Sequence, residues 1–109
     1  MKFFHQEIID KWSSYSLLEQ MANIGVEVNR AINWKKKNNL KMSINAFYRA
    51  IELIDLTAND KKNKNSLKEI LRLKELLGNY FLGDNIYKSI DEWWEKYFYP
   101  FNLAIRKDK

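Results

Sequence analysis

The chain contains no cysteine, one proline, three glycines and one histidine. Each scarcity closes off a class of protein. Without thiols there is no disulfide framework, no thiolate-bound zinc, no iron–sulfur cluster and no thiol nucleophile. Glycine and proline are too rare for a loop-rich sandwich or a disordered chain. The lone His5 sits outside the main predicted helices, so no Ser–His pair has a base to work with. The paired Glu-x-x-His elements of di-iron bundles are missing, and no arginine is followed four to six residues later by histidine as in some helical ribonucleases. Gly25, Gly78 and Gly83 make no phosphate-cradling loop. No apolar run approaches the roughly 20 residues that cross a bilayer. The start, Met1 to Glu7, turns polar after Phe3 and Phe4, unlike a secretory signal. These absences lead to the expectation of a cytoplasmic protein with no membrane partner, no metal site and no cofactor.

What is present is helical. With 109 residues, 46% hydrophobic, 30% charged and 15% aromatic, the chain fits one domain over 1–109 with a single core. Three serines stand three residues before a glutamate, the pattern of a capping box: Ser16/Glu19, Ser66/Glu69 and Ser89/Glu92. Leu17, Met21, Ile24, Val28 and Ala31 then recur at spacings of three and four, which predicts a helix over about 17–35. Ile44, Phe47, Ala50, Ile51, Ile54 and Ala58 predict a second over about 42–58. Leu67, Ile70, Leu73, Leu77, Tyr80 and Phe81 predict a third, ended by Gly83-Asp84-Asn85, residues that tolerate left-handed backbone. Ile90, Trp93, Trp94, Tyr97, Phe98 and Phe101 begin the stripe of a fourth, which Pro100 should kink near Lys96. Phe4, Ile8 and Trp12 suggest a short N-terminal helix over about 3–11. Connections of about six residues favour antiparallel neighbours. The expected fold is thus all-α: an antiparallel up-down four-helix bundle with a short extra N-terminal helix.

The charge is unevenly placed. Residues 1–32 sum to −1 and residues 69–109 to zero, so the excess lies in 33–68, where nine basic groups face Glu52, Asp55 and Asp60. The basic set is Lys35, Lys36, Lys37, Lys41, Arg49, Lys61, Lys62, Lys64 and Lys68. With Arg72 beyond it, this set is the candidate surface for a polyanion, RNA or DNA. The second predicted helix separates its two lysine clusters by roughly 20–25 Å, at opposite ends of a bundle. A competing reading is solvation alone, since 15 Lys against four Arg, with 12 Asn and 11 Ile, also matches AT-rich codon usage.

Stepping 100° per residue round the helices puts Val26, Arg30 and Trp34 on the outer face of the first, with Asn23 and Glu27 beside them. The second carries Leu56 outward with Arg49 and Glu52. The third has too narrow a polar strip for Leu71, Leu76 and Leu82 all to face one core. Val26, Arg30, Trp34 and Leu56 are therefore candidate interface residues, and self-association is the expectation. Partial cover by the N-terminal segment is the alternative. The four arginines, one on each main helix, suit carboxylates such as Glu27, Glu52, Asp55 or Glu75. Nine of the 16 aromatics lie between Tyr80 and Phe101. They serve either as core or as base-stacking surface.

The remaining catalytic cue is acid pairs three residues apart, Glu7/Asp10, Glu52/Asp55 and Glu92/Glu95, each able to present two carboxylates to Mg²⁺ on one helical face. Glu52/Asp55 resembles the Glu-x-x-Asp element of all-α nucleotide pyrophosphohydrolases, but the companion Glu-x-x-Glu on the preceding helix is missing. Leu18-Glu19-Gln20-Met21-Ala22-Asn23-Ile24-Gly25 and Arg49-Ala50-Ile51-Glu52-Leu53-Ile54-Asp55-Leu56 resemble an uncharacterised family of small helical archaeal and bacterial proteins. That likeness implies no activity. Asn23, Ile24 and Arg30 also match the Asn-Ile-Ala-Glu-Gly-x-x-Arg segment of four-helix-bundle proteins of ribosomal intervening sequences and of diversity-generating retroelement accessory proteins, while Gly25 and Glu27 depart from it. That resemblance implies a basic ring-shaped oligomer, commonly a pentamer, binding structured RNA or DNA and partner proteins without chemistry of its own. The functional expectation is a non-enzymatic, homo-oligomeric nucleic-acid-binding accessory protein. The alternatives are a scaffold or antitoxin-like protein that binds another chain and, after it, a Mg²⁺-dependent phosphohydrolase.

Overall fold

A computed structural model of the chain describes residues 6–83 and 90–107. Its elements are α1 (Gln6–Ser13), α2 (Leu17–Lys36), α3 (Leu40–Asn59), a 3-10 helix (Lys61–Ser66), α4 (Leu67–Leu82) and α5 (Asp91–Lys107). The described residues form no strand, so the fold is all-α. Phe4, His5, Asp84, Asn85 and the Ser89 cap lie outside the described residues.

The predicted capping box forms at the start of α2. The Ser16 hydroxyl accepts from the Glu19 N–H at 3.1 Å, and the Ser16 N–H donates to Glu19 Oε1 at 2.9 Å, which satisfies two otherwise open donors. At the other end the chain reverses in three residues, tighter than the expected six. Asn38 takes the left-handed conformation (φ 61°), which a short polar side chain tolerates. Asn39 Oδ1 then caps α3 by accepting from the Met42 N–H at 3.2 Å, so α3 begins two residues before the predicted start. Buried Ser43 donates to the Ala31 carbonyl at 2.7 Å and pins this turn from inside.

Two expected boundaries differ. Ser66 makes no side-chain cap bond. The 3-10 helix runs directly into α4, with the Leu67 N–H on the Lys64 carbonyl, and holds Ser66 at φ −107°, ψ 6°, outside the extended backbone from which a cap hydroxyl reaches the first turn. Gly83 ends α4 in extended rather than left-handed backbone (φ −107°, ψ −162°), its N–H held by the Asn79 carbonyl. Pro100 is carried inside α5.

α2 is the central rod, packing along both α3 and α5, while α3 also packs on α4 and α1. The predicted stripes supply the core: Ile24, Ala31 and Ile32 of α2, with Ala50 and Ile54 of α3, have no exposed surface. Leu77, Trp94 and Phe98 complete it from α4 and α5 with none either. α2 and α5 meet at Gly25, where an added Cβ would lie 2.9 Å from Cβ, Cγ and Cδ1 of Phe98. Tyr80 and Trp94 bring α4 and α5 together, ring centroids 6.0 Å apart. Most of the C-terminal aromatic cluster thus packs as core, although Trp93 and Tyr99 remain exposed.

Leu56 is a correction. It is buried at 6% exposure rather than outward, because α1 lies on the C-terminal half of α3 and covers it. α1 is fixed there by polar groups at positions that periodicity reads as core or loop. Trp12 Nε1 donates to Thr57 Oγ1 at 3.0 Å. Gln20 Nε2 donates to the Trp12 carbonyl at 2.9 Å and to Asp60 Oδ2 at 3.0 Å. Asn63 Nδ2 donates to Gln20 Oε1 at 2.8 Å and to the Thr57 carbonyl at 2.9 Å. Gln20, Thr57 and Asn63 are all buried, and a buried polar network stabilises only when its members find partners, as these do.

Candidate functional site

The structure brings three of the four candidate interface residues to one place. Val26, Arg30 and Leu56 line a groove of about 440 Å³ between α1, α2 and α3. Periodicity sets Val26 and Arg30 four residues apart on α2, on the face away from α5's contact at Gly25. Leu56 forms part of the apolar floor with Trp12 and Leu53. Trp34 lies one helical turn beyond Arg30 and is half-buried outside the groove, with the Lys37 ammonium 5.3 Å from its ring centroid.

The rim is mixed in character. Val26 is 43% exposed and Ile8 of α1 48%. Lys11, Asn23 and Glu27 add a cation, an amide and a carboxylate. Glu27 Oε1 accepts from Arg30 Nη1 at 2.9 Å, the pairing anticipated from sequence. Its other oxygen, Oε2, is shut off from solvent and accepts no hydrogen bond. The groove therefore offers an apolar floor and groups of both signs, while the unused Glu27 oxygen is turned away from it.

The basic candidates divide in two. Lys35 donates to Asp91 Oδ1 at 3.0 Å and to the Tyr80 hydroxyl at 2.7 Å, over the Tyr80 ring. Lys36 pairs with Glu95 at 3.4 Å, so these two tie α2 to α4 and α5. Lys62 pairs with Asp60 and donates to the Ser13 carbonyl at 2.9 Å, serving the α1 network. Lys37, Lys41, Arg49, Lys61, Lys64, Lys68 and Arg72 are exposed. Lys61, Lys64 and Lys68 share the end of the molecule at the 3-10 helix and the start of α4. Lys35, Lys36, Lys37 and Lys41 flank the start of α3, whose 20 residues span about 30 Å. The two clusters are therefore separate.

Burial alone would raise the Asp60 carboxyl, but hydrogen bonds from the Lys62 ammonium, Gln20 and the Lys62 N–H outweigh it and hold the group below its ordinary value. Burial, aided by the Glu69 charge, pushes the Tyr97 phenol up. Asp55 of the acid pair accepts from Lys74 at 2.8 Å, and Glu95 is taken by Lys36. Among the described residues no three His, Cys, Asp or Glu side chains gather closely enough to hold a metal. No helix among them is long and apolar enough to cross a membrane.

Sequence reasoning gave cover by the N-terminal segment only as the alternative; at Leu56 that alternative holds, and what it did not place is the groove that Ile8, Lys11 and Trp12 of α1 line. The signal was Gln20, Thr57 and Asn63: polar side chains beside or within apolar stripes require partners, and the indole N–H of Trp12 was an available donor. In comparisons with known proteins the chain matches no family model, no curated protein and no solved structure.

Proposed function

We propose that the chain is a non-enzymatic, homo-oligomeric accessory protein of the cytoplasm, whose helices α2 to α5 form an antiparallel up-down bundle and whose solvent lysines hold a nucleic acid. The single observation that carries the reading is the groove between α1, α2 and α3, where Ile8 and Val26 stay about half exposed over an apolar floor. Leu40 at 66%, Leu71 at 49% and Leu82 at 56% add apolar surface elsewhere. The exposed Lys61, Lys64 and Lys68 support the nucleic-acid part, because lysines without structural work are free to displace counterions from phosphates. The likeness to intervening-sequence and retroelement accessory proteins supports the same reading: Ile24 is core, while Asn23 and Arg30 are on the surface.

Light scattering of the native protein combined with titration of labelled RNA at several salt concentrations tests it. The expected result is an assembly heavier than one chain whose RNA affinity falls steeply with salt. Flat or undetectable binding at low salt overturns the nucleic-acid role. The second reading, a scaffold for a different protein, is favoured by the mixed polarity of the groove rim. A stoichiometric protein partner co-purifying without nucleic-acid absorbance would support that reading instead.

A further inference from the structure

We infer that a pocket between the start of α2, the start of α4 and the middle of α5 binds a small hydrophobic molecule that carries a primary ammonium group. The inference does not rest on the nucleic-acid reading, since none of the exposed lysines lines this pocket. α4 packs on α3 while α5 packs on α2, and where the three rods pass one another their side chains leave a space of about 140 Å³. Met21 and Ile70, both buried, form its floor, and half-buried Leu17 and Phe101 its walls. Leu18, 45% exposed, stands at the mouth. An apolar cavity of about 150 Å³ is enough to take benzene, so this one suits a single ring or a short alkyl chain.

The polar lining fixes the head group. Ser66, Glu69 and Tyr97 contribute a hydroxyl, a carboxylate and a phenol, and no lysine, arginine or amide side chain joins them. Every polar side chain of the lining therefore carries oxygen, and the one charge among them is negative. The Ser66 hydroxyl is not spent on capping α4. After burial, the Glu69 charge helps to push the Tyr97 phenol up, which sets the two groups close to each other. A primary ammonium brings three N–H donors and no acceptor, the complement of three oxygens. Glu69 is exposed, so the charged head stays near water while the hydrocarbon body is buried, and the cost of desolvating the cation is small. The Tyr97 and Phe101 rings add a further attraction for a cation. A carboxylate or phosphate here would meet Glu69 with no counter-charge, and a neutral analogue would gain no charge-assisted bond.

Three probes with the same ring and different heads separate these cases: phenethylamine, phenethyl alcohol and phenylacetate, each titrated at neutral pH into isotope-labelled protein and followed by backbone amide NMR. Phenethylamine is expected to shift the amides of Leu17, Leu18 and Ile70 and to bind about tenfold or more tightly than the alcohol. Phenylacetate is expected to leave those amides in place. Glu69→Gln, at an exposed position, should bring the amine down to the level of the alcohol. Glu75→Gln removes a carboxylate from α4 outside the pocket and should leave the preference unchanged. Equal binding of the three probes, shifts confined to amides elsewhere, or no shift with any probe overturns the assignment. So does a Glu69→Gln protein that keeps its preference for the amine, or a loss just as large in Glu75→Gln, which would trace the effect to the general field of α4. None of these outcomes bears on RNA binding, which stands or falls by its own titration.

Discussion

At the scale of single residues, the structure sorts groups that look alike in the sequence. Lys62 and Lys64 belong to one run, yet the first is bound to Asp60 and Ser13 and the second points to water. Asp60 is where this becomes measurable. Its carboxyl is held below the ordinary value in the folded state, so it contributes stability that is present above the unfolded value of about 3.9. That contribution is lost as pH falls through the lower folded value. Denaturant unfolding between pH 6 and pH 2 should show wild type losing stability below about pH 4 more steeply than Asp60→Asn, which has no proton to gain. Parallel curves for the two would contradict the role given to Asp60. Trp94 is the opposite case, a fully buried side chain whose indole N–H finds no acceptor among the described residues.

At the scale of elements, two glycines inside helices carry opposite predictions. Gly25 lies where α2 meets α5, and the Cβ of alanine would press on both the Cβ and the ring of Phe98, which has nowhere to move. Gly25→Ala should therefore destabilise by about 1–3 kcal/mol despite its better helix propensity. Gly78 has no atom within 4 Å of such a Cβ, so Gly78→Ala should stabilise by roughly 1 kcal/mol. Thermal unfolding of both variants checks the pair, and equal shifts would contradict the packing at Gly25. The same positions show what the sequence could and could not disclose. The stripes Leu17 to Ala31 and Ile44 to Ala58 predicted α2 and α3 because a rod with one apolar face has one way to bury it. The Ser66 cap failed because the 3-10 turn that runs into α4 holds Ser66 outside the extended backbone that a capping serine adopts. Leu56 was read as outward because a helical wheel knows only its own rod, and the cover is α1. Three candidate interface residues converge on one groove, but its second wall comes from a segment that local periodicity places only as a short helix.

At the scale of the whole molecule, the exposed lysines carry a separable prediction. Replacing Lys61, Lys64 and Lys68 with alanine should lower nucleic-acid affinity and flatten its salt dependence, by about 0.7 to 0.9 in log–log slope per phosphate contact removed. Lys35→Ala should instead lower the unfolding midpoint, since it removes the bonds to Asp91 and Tyr80, and leave the salt slope near that of wild type. Salt titrations alongside melting curves separate the two, and identical behaviour would undo the division of lysines. The latch of α1 also constrains the order of events during folding. The bonds from Trp12 to Thr57, from Gln20 to Asp60 and from Asn63 to Gln20 bridge 45, 40 and 43 positions, and the last two need the hairpin of α2 and α3 already closed. Loop closure of that length comes late and contributes little until its neighbours are in place. The N-terminal rod therefore docks only once that hairpin has closed, and until it does a newly made chain has a bare Leu56 and a groove with one wall missing.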